Sequence, residues 1–143
     1  MQKPVTLLLA LAAGAGLAHE GVENPAVMAR MELMKDVGAA TGTLGEMVKG
    51  EVAFDAGSAA AARAGLVEAA DRVPALFEAR ESDPKSEALP AVWEDWDGFL
   101  AQADAMQEAA RGLETGSAAS LRDGFADLGR SCRACHEDYR LED

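Results

Sequence analysis

The sequence of 143 residues carries 25 acidic against 13 basic side chains, which gives a formal net charge of -12 at pH 7. A chain this acidic would be repelled by nucleic acid and by anionic lipid, so neither is an expected partner. It would suit a basic protein partner, although an acidic surface that only confers solubility is the commoner explanation.

The first 18 residues have the composition of a secretory signal peptide. A single positive charge precedes an apolar stretch from Val5 to Leu17, which ends in the small-residue site Gly16-Leu17-Ala18. The apolar run is too short to cross a bilayer core of about 30 Å, so it is not a membrane span. We therefore predict cleavage after Ala18, export to the periplasm of a bacterium, and one mature domain at residues 19–143 without a membrane span.

The first predicted helix begins at Asn24-Pro25 and ends at Gly50. Asn is a favoured N-cap, Pro is favoured in the first turn, and Gly is favoured where a helix ends. The side chains that recur between them at helical spacing are Val27, Met31, Met34, Thr41, Leu44 and Val48.

A second helix is predicted after a short connector at residues 51–54, with Asp55 as its N-cap. Its inner face would carry Ala62, Leu66, Ala69 and Val73. Pro74 lacks the N–H that an interior helical position needs, so the helix is expected to end or kink there.

From Glu78 to Leu89 the chain is polar and aperiodic, which predicts one long loop. Pro90 then opens a third predicted helix. The stripe of this helix comprises Trp93, Trp96, Leu100, Ala103, Met106 and Leu113.

Gly116 and Ser117 break the chain and cap a fourth predicted helix. Its stripe comprises Leu121, Phe125, Leu128, Cys132, Cys135 and Tyr139. Four amphipathic helices joined by mostly short connections, with no alternating strand pattern, predict an all-α, antiparallel four-helix bundle. The periodicity favours left-handed packing at shallow crossing angles.

The only two cysteines and one of the two histidines stand together in the run Cys132-Arg133-Ala134-Cys135-His136. Two thiols three positions apart on a helical turn can add to the two vinyl groups on one edge of a haem. The histidine that follows can ligate the iron through a neutral imidazole nitrogen. The run therefore predicts one covalently attached haem c.

Three other kinds of site share this Cys-x-x-Cys core. A thioredoxin-like dithiol is expected at a helix N-terminus after a strand, whereas this motif comes near the end of a helical pattern. A structural zinc site needs four ligands, and the one further usual candidate is His19, at the predicted mature N-terminus. A plain disulfide would close so short a loop that it would restrain the unfolded chain very little. A haem-free thiol oxidoreductase is the main remaining alternative.

Over nearly the whole mature chain, the sequence resembles class II cytochromes c, the family of cytochrome c′ and its low-spin relatives of the c-556 and c-554 kind. The runs that carry the resemblance are residues 132–140, 30–36, 48–51, 54–55 and 90–93. Class I cytochromes place their haem motif near the N-terminus, so its C-terminal position here separates the two classes. The resemblance implies a four-helix bundle with one covalently bound haem.

The resemblance also implies roles for single residues. Cys132 and Cys135 would be the thioether anchors, and His136 the proximal iron ligand. Arg30 would meet a haem propionate, and Met34, one turn further along the first helix, would face the iron from the distal side.

Three further matches are weaker. Met31 and Glu87 fall where relatives contact the haem. Arg140 matches a basic residue beside the proximal ligand in cytochromes c′, although a favourable cation near the C-terminal end of a helix explains it equally well.

Whether Met34 binds the iron decides which function the resemblance implies. A His/Met pair raises the reduction potential, keeps the iron low-spin and leaves no vacant position, as suits an electron carrier. An open sixth position would instead bind nitric oxide or carbon monoxide, as in cytochromes c′. We predict ligation by His136 and Met34, and hence a periplasmic electron carrier rather than an enzyme, whose partners are redox proteins. The resemblance allows a homodimer through the first two helices, but the sequence shows no additional apolar stripe for it.

Overall fold

The computed structural model describes residues 21–142, and helices make up its regular structure apart from one isolated pair of bridged residues. Its helices are α1 (Pro25–Lys49), α2 (Ala56–Phe77), α3 (Ala91–Glu94), α4 (Trp96–Gly112) and α5 (Ala118–Tyr139). None of the helices between residues 21 and 142 is long and apolar enough to cross a membrane. The predicted signal peptide at residues 1–18 and His19 lie outside the described residues.

Side-chain caps begin the helices at the predicted positions. Asn24 Oδ1 accepts a hydrogen bond from the N–H of Ala26 at 2.9 Å, at the start of α1. Asp55 and Ser117 cap α2 and α5 in the same way. Gly50 ends α1 with φ of 74°, a left-handed conformation that glycine adopts at little cost. These predicted boundaries are confirmed.

α2 continues past Pro74 to Phe77, although the sequence predicts an end or a kink at the proline. A proline leaves the carbonyl four positions earlier without its helical N–H donor, and here that carbonyl belongs to Ala70. The side-chain amide of Gln107, on α4, donates to the Ala70 carbonyl at 3.3 Å and replaces the missing donor. The helix therefore does not end at Pro74, because a side chain from another helix satisfies its backbone.

The third predicted helix is divided in two at Asp95. This residue has φ of -123° and ψ of 56°, outside the helical region, so α3 ends before it and α4 begins after it. Its carboxylate accepts hydrogen bonds from the Gly98 N–H at 3.3 Å and from the Tyr139 hydroxyl at 2.8 Å. The prediction of one continuous third helix is therefore wrong.

The buried face of this region also differs from the predicted stripe. Val92 and Phe99 are 1% and 3% exposed, whereas Trp93 and Trp96 are only partly buried. Because the break at Asp95 interrupts the helix, α3 and α4 do not share one continuous apolar face.

Four of the described helices form the bundle. α1 packs against α2 and α5, α4 packs against the same two helices, and the short α3 lies on α4 and α5. The fully buried leucines of the core are Leu33, Leu44, Leu66, Leu113, Leu121 and Leu128. Each stabilises the fold by about 2 kcal/mol relative to an exposed side chain. The predicted all-α four-helix bundle is confirmed.

The long loop at residues 78–89, hereafter the strap, is fastened to the start of α1. The Asp83 carboxylate accepts hydrogen bonds from the N–H groups of Glu23 at 2.9 Å and Asn24 at 3.0 Å. It also accepts one from the N–H of Lys85 at 2.9 Å, within the strap itself. The predicted loop therefore has a fixed path over the N-terminal end of α1.

The strap is also fastened to the end of α5. The Leu89 N–H donates to the Tyr139 carbonyl at 2.9 Å, and the Leu141 N–H donates to the Glu87 carbonyl at 2.8 Å. These two bonds form an antiparallel bridge, the one β-bridge among residues 21–142. The strap thus connects the first turn of α1 with the last turn of α5.

Candidate haem site

Two adjoining cavities, of about 490 and about 260 Å³, lie among α1, α2, α4 and α5. The side chains that line both are Met34, Phe99, Cys135 and His136. Residues 86–88 of the strap form one wall of the larger cavity. A ligand that filled both cavities would therefore pass between the shared side chains of α1 and α5.

Cys132 and Cys135 lie one turn apart on α5, and both are half-buried free thiols. Burial raises the pKa of both, and the neighbouring Cys132 and Asp138 help to raise that of Cys135 to about 11. A reactive dithiol instead has a thiol with a lowered pKa, commonly at a helix N-terminus. These thiols stand in the last turns of their helix, so the geometry gives no support to a thiol oxidoreductase.

His136 follows the second thiol and lines both cavities. Burial lowers the pKa of the imidazole, the charge of Arg140 lowers it further, and Glu87 opposes this shift. At pH 7 the ring is therefore neutral, which leaves one nitrogen lone pair available to a metal.

Two methionines of α1 face the larger cavity, but only Met34 also lines the smaller one. Met34 is partly buried and packs against the hydrophobic core. Met31 lies three residues earlier and therefore on the same side of the helix. The thioether of Met34 is a soft donor that can complete the coordination of haem iron.

Arg30, predicted to meet a haem propionate, is almost completely buried, with 3% of its surface exposed. Its Nε, Nη1 and Nη2 atoms donate respectively to the carbonyls of Leu76 at 2.8 Å, Glu81 at 2.9 Å and Ala79 at 2.5 Å. Burial lowers the pKa of the guanidinium, and the charge of Glu81 opposes the shift. The side chain lines the larger cavity, yet its hydrogen bonds run to the end of α2 and to the strap.

Glu87 and Arg140 face the larger cavity as an ion pair, in which Arg140 Nε donates to Glu87 Oε2 at 2.8 Å. The pair joins the strap to the residue that follows α5, one turn beyond His136. The contacts predicted for these two residues with the haem and the proximal ligand stay predictions.

Residues 25–140 match the family model described as Cytochrome C′. The chain is similar to cytochrome c-556 of Agrobacterium tumefaciens (strain apple 185), with 34% identity over 117 residues that cover 80% of this chain and 93% of the relative. This chain belongs to the cytochrome c′ family. The predicted resemblance to class II cytochromes c is confirmed.

Solved structures of the cytochrome c′ family share this fold. A structure of cytochrome c′ from Rhodobacter Spheriodes has a TM-score of 0.77 and 30% identity, over 82% of this chain and 96% of that chain. A nitric oxide complex of a mutant cytochrome c prime from Alcaligenes xylosoxidans has a TM-score of 0.74 and 28% identity, over 82% of this chain and 94% of that chain.

As a member of the cytochrome c′ family the chain binds covalently attached haem c, and the residues around the cavities fit this cofactor. The volume of the larger cavity is in the range of ligand pockets, and its apolar wall includes Val27, Phe77, Val92 and Phe99. The cations that face the larger cavity, as a ligand with two carboxylates requires, are Arg30, Lys35 and Arg140. Within residues 21–142, no cluster of three or more His, Cys, Asp or Glu side chains is arranged to hold a bare metal ion.

The cavity-lining residues that the sequence does not assign to the haem site include Lys35, Phe99 and Tyr139. The rings of Phe99 and Tyr139 meet edge to face, with centroids 5.4 Å apart. Apolar spacing could have found both, because Phe99 follows Trp96 by three residues and Tyr139 belongs to the predicted stripe of the fourth helix. Lys35 offers no such signal beyond its position next to Met34.

Proposed function

We propose that this protein is an exported electron carrier whose haem is attached to Cys132 and Cys135 and ligated axially by His136 and Met34. The observation that carries the proposal is the position of Met34 on α1 and His136 on α5, since each lines both cavities. A planar ring that occupies the two cavities together would lie between these side chains.

The bound haem supplies a reversible one-electron couple, and the chain sets its properties. The neutral imidazole of His136 would supply a nitrogen ligand and the thioether of Met34 a sulfur ligand, which favours the ferrous state and raises the reduction potential. With both ligands supplied by the protein, the iron would have no position left for an exogenous ligand. Electron transfer would then require little rearrangement of the site.

The walls of the site support this role. Phe77 and Phe99 are 7% and 3% exposed, and their rings, tilted by 43° with centroids 5.2 Å apart, both line the larger cavity. Their apolar surface excludes water from the ring and so strengthens the electrostatic effect of nearby charges. The acidic surface of the chain, with its net charge of -12, favours a basic redox protein as the partner.

Export to the periplasm belongs to the same proposal and rests on the signal-like composition of residues 1–18. The intact mass of the mature protein tests both parts of it. We expect a chain that begins at His19 and carries one covalently bound haem. A mass that retains the first 18 residues would contradict export.

A second candidate is a five-coordinate protein that binds nitric oxide or carbon monoxide. The observation that favours it is the similarity to the nitric oxide complex of a cytochrome c prime from Alcaligenes xylosoxidans. In that case Met34 would pack against the distal face of the ring without ligating it.

The two candidates differ in the spin state of the ferric protein and in the reaction of the ferrous protein with carbon monoxide. We expect a low-spin electron paramagnetic resonance spectrum and no carbon monoxide binding for the unmodified protein. Met34→Leu should become high-spin and bind carbon monoxide, because leucine has a similar volume but no donor atom. Met31→Leu, on the same face of α1, should stay low-spin. A high-spin unmodified protein that binds carbon monoxide readily would refute axial ligation by Met34.

A further inference from the structure

Thr41 carries a buried hydroxyl for which the described part of the chain provides no partner. Within residues 21–142, Thr41 Oγ1 is buried from solvent and forms no hydrogen bond. The hydroxyl of Thr43, two residues later on α1, instead donates to the Ala39 carbonyl at 3.1 Å. Leaving a buried hydroxyl without a partner costs free energy, and most such groups in native proteins bond to the chain or to ordered water. The Thr41 hydroxyl is therefore available to a partner other than the described chain.

The smaller cavity places this hydroxyl at the inner end of the haem site. Of the two cavities, only the smaller one is lined by Thr41, by Gln102 of α4, and by Ser131 and Cys132 of α5. At a rise of about 1.5 Å per residue, Thr41 lies about 10 Å further along α1 than Met34. It is therefore too far along the helix to face the iron, and it lies instead toward the edge of the ring that Cys132 would anchor.

Polar side chains from three helices line this inner cavity: Thr41, Gln102 and Ser131. The Ser131 hydroxyl donates to the Leu128 carbonyl at 2.8 Å, so its oxygen retains the capacity to accept. The Thr41 hydroxyl and the Gln102 amide can each donate and accept. A buried water typically makes about three hydrogen bonds to groups of this kind. The cavity, of about 260 Å³, is also much larger than one water molecule requires.

We infer that Thr41 and Gln102 hold one buried water molecule at the thioether edge of the haem, and that these polar groups stabilise the oxidised state. Thioether sulfur is a weak acceptor, which leaves the Thr41 hydroxyl to the water. The ferric haem core carries one more positive charge than the ferrous core, so dipoles that can turn toward this charge favour it in a mainly apolar cavity. The inference rests on the haem attachment at Cys132 and Cys135 in the proposed function, but not on ligation by Met34.

The reduction potential of the holoprotein tests the effect of Thr41 on the haem. Valine has nearly the shape of threonine but lacks the hydroxyl, so Thr41→Val removes both the hydroxyl and a partner of the water. We expect the potential to rise, because the oxidised haem loses stabilising dipoles. Thr43→Val is the matched control, since it makes the same change two residues later on α1, where the hydroxyl bonds to the Ala39 carbonyl. It should leave the potential unchanged.

Denaturant unfolding of the holoprotein tests whether Thr41 and Gln102 act through one water. If the water satisfies the hydroxyl, Thr41→Val lowers the unfolding midpoint, whereas removal of an unsatisfied hydroxyl would raise it. Gln102→Met should also lower the midpoint, and the double variant should lose less than the sum of the single losses, because both changes remove the same water. Gln107→Met is the control on α4, since the Gln107 amide bonds to the Ala70 carbonyl. Its effect should add to that of Thr41→Val.

A crystal structure of the holoprotein should show one ordered water within hydrogen-bond distance of both Thr41 Oγ1 and the Gln102 amide, and the Thr41→Val protein should lack it. The inference would be overturned by a structure without this water, by a Thr41→Val protein more stable than the unmodified one, or by additive losses in the double variant. A potential for Thr41→Val no higher than that of Thr43→Val would overturn the effect on the haem. The Soret band and spin state report haem attachment and axial ligation separately. A high-spin unmodified protein that holds the water would contradict only the ligation by Met34.

Discussion

Gly98 is the residue at which the break between α3 and α4 meets the end of α5. A Cβ atom built on Gly98 would overlap Asp95 Oδ2 and approach the Tyr139 hydroxyl oxygen to 2.6 Å. The absence of a side chain therefore permits the 2.8 Å hydrogen bond between Tyr139 and Asp95. Burial is the main cause that raises the pKa of Tyr139 to about 12, and the bond to Asp95 adds to it, so the phenol remains a donor at neutral pH.

We expect Gly98→Ala to destabilise the holoprotein by about 1–3 kcal/mol, because the added methyl group must displace one partner of this bond. The measurement is the free energy of unfolding from a urea titration followed by circular dichroism. Gly65→Ala is the control, since nothing lies within 4 Å of a Cβ at that exposed position of α2. It should be neutral or stabilising, by up to about 1 kcal/mol. Equal effects of the two substitutions on the free energy of unfolding would show that the close contact at Gly98 does not affect stability.

The sequence identifies the attachment motif because its chemistry is local. Cys132, Cys135 and His136 are neighbours, and their spacing alone predicts a haem. The surroundings of Arg30 depend on carbonyls 46 to 51 residues away, which no local pattern reveals. The same limit applies to Lys35, whose place at the cavity depends on how α1 packs.

The strap is the segment that joins the start of α1 to the end of α5. Asp83 holds it to the start of α1 by accepting two backbone hydrogen bonds at Oδ2, and its Oδ1 accepts a third from the Lys85 N–H within the strap. These bonds, chiefly that from the Lys85 N–H, lower the pKa of the Asp83 carboxyl below its ordinary value. The unfolded chain therefore takes up the proton first as the pH falls. The stability contributed by Asp83 is present in full above about pH 4 and is lost as the pH falls through the folded pKa.

We expect Asp83→Asn to lower the unfolding midpoint at pH 7, because an amide offers one oxygen where the structure uses two acceptors. As the pH is lowered below about 4, the stability of the variant should also fall less than that of the unmodified protein. Unfolding titrations at several pH values measure both effects. Glu81→Gln is the control, since the Glu81 carboxylate accepts a hydrogen bond from the Asn24 side-chain amide and an amide oxygen can take that place. A pH dependence identical to that of the unmodified protein would contradict the role of Asp83.

The helices show which features of secondary structure can be predicted from the local sequence. Caps at Asn24, Asp55 and Ser117 are local signals, and all are confirmed. Where α2 continues through Pro74, Gln107 donates to the Ala70 carbonyl, and the break at Asp95 is accompanied by a bond to Tyr139, 44 residues away. Both deviations from the predicted helices therefore involve contacts between elements.

The two cavities are lined by side chains that also belong to the hydrophobic core, among them Phe77, Val92, Phe99 and Met106. A haem held there would bury apolar surface of its own against these side chains and so would stabilise the bundle. The haem is therefore part of the hydrophobic core and not only a functional group. The apolar periodicity predicts the bundle but not the two cavities within it.

We expect the variant Cys132→Ser/Cys135→Ser, purified without haem, to have little near-ultraviolet circular dichroism and a broad, low-temperature unfolding transition. Its helices should survive in part, because their caps do not depend on the cofactor. Near- and far-ultraviolet spectra recorded beside those of the holoprotein measure the difference. A haem-free variant with a sharp unfolding transition at the same temperature as the holoprotein would show that the bundle packs its core without the haem.

The bridge between Ala88 and Arg140 holds the strap beside the attachment motif and against one side of the larger cavity. A ring that enters this cavity would have to pass the strap, so haem delivery and docking of the strap would use the same opening. We expect the bridge to form only after both thioether bonds exist, so that docking of the strap is the last step of assembly.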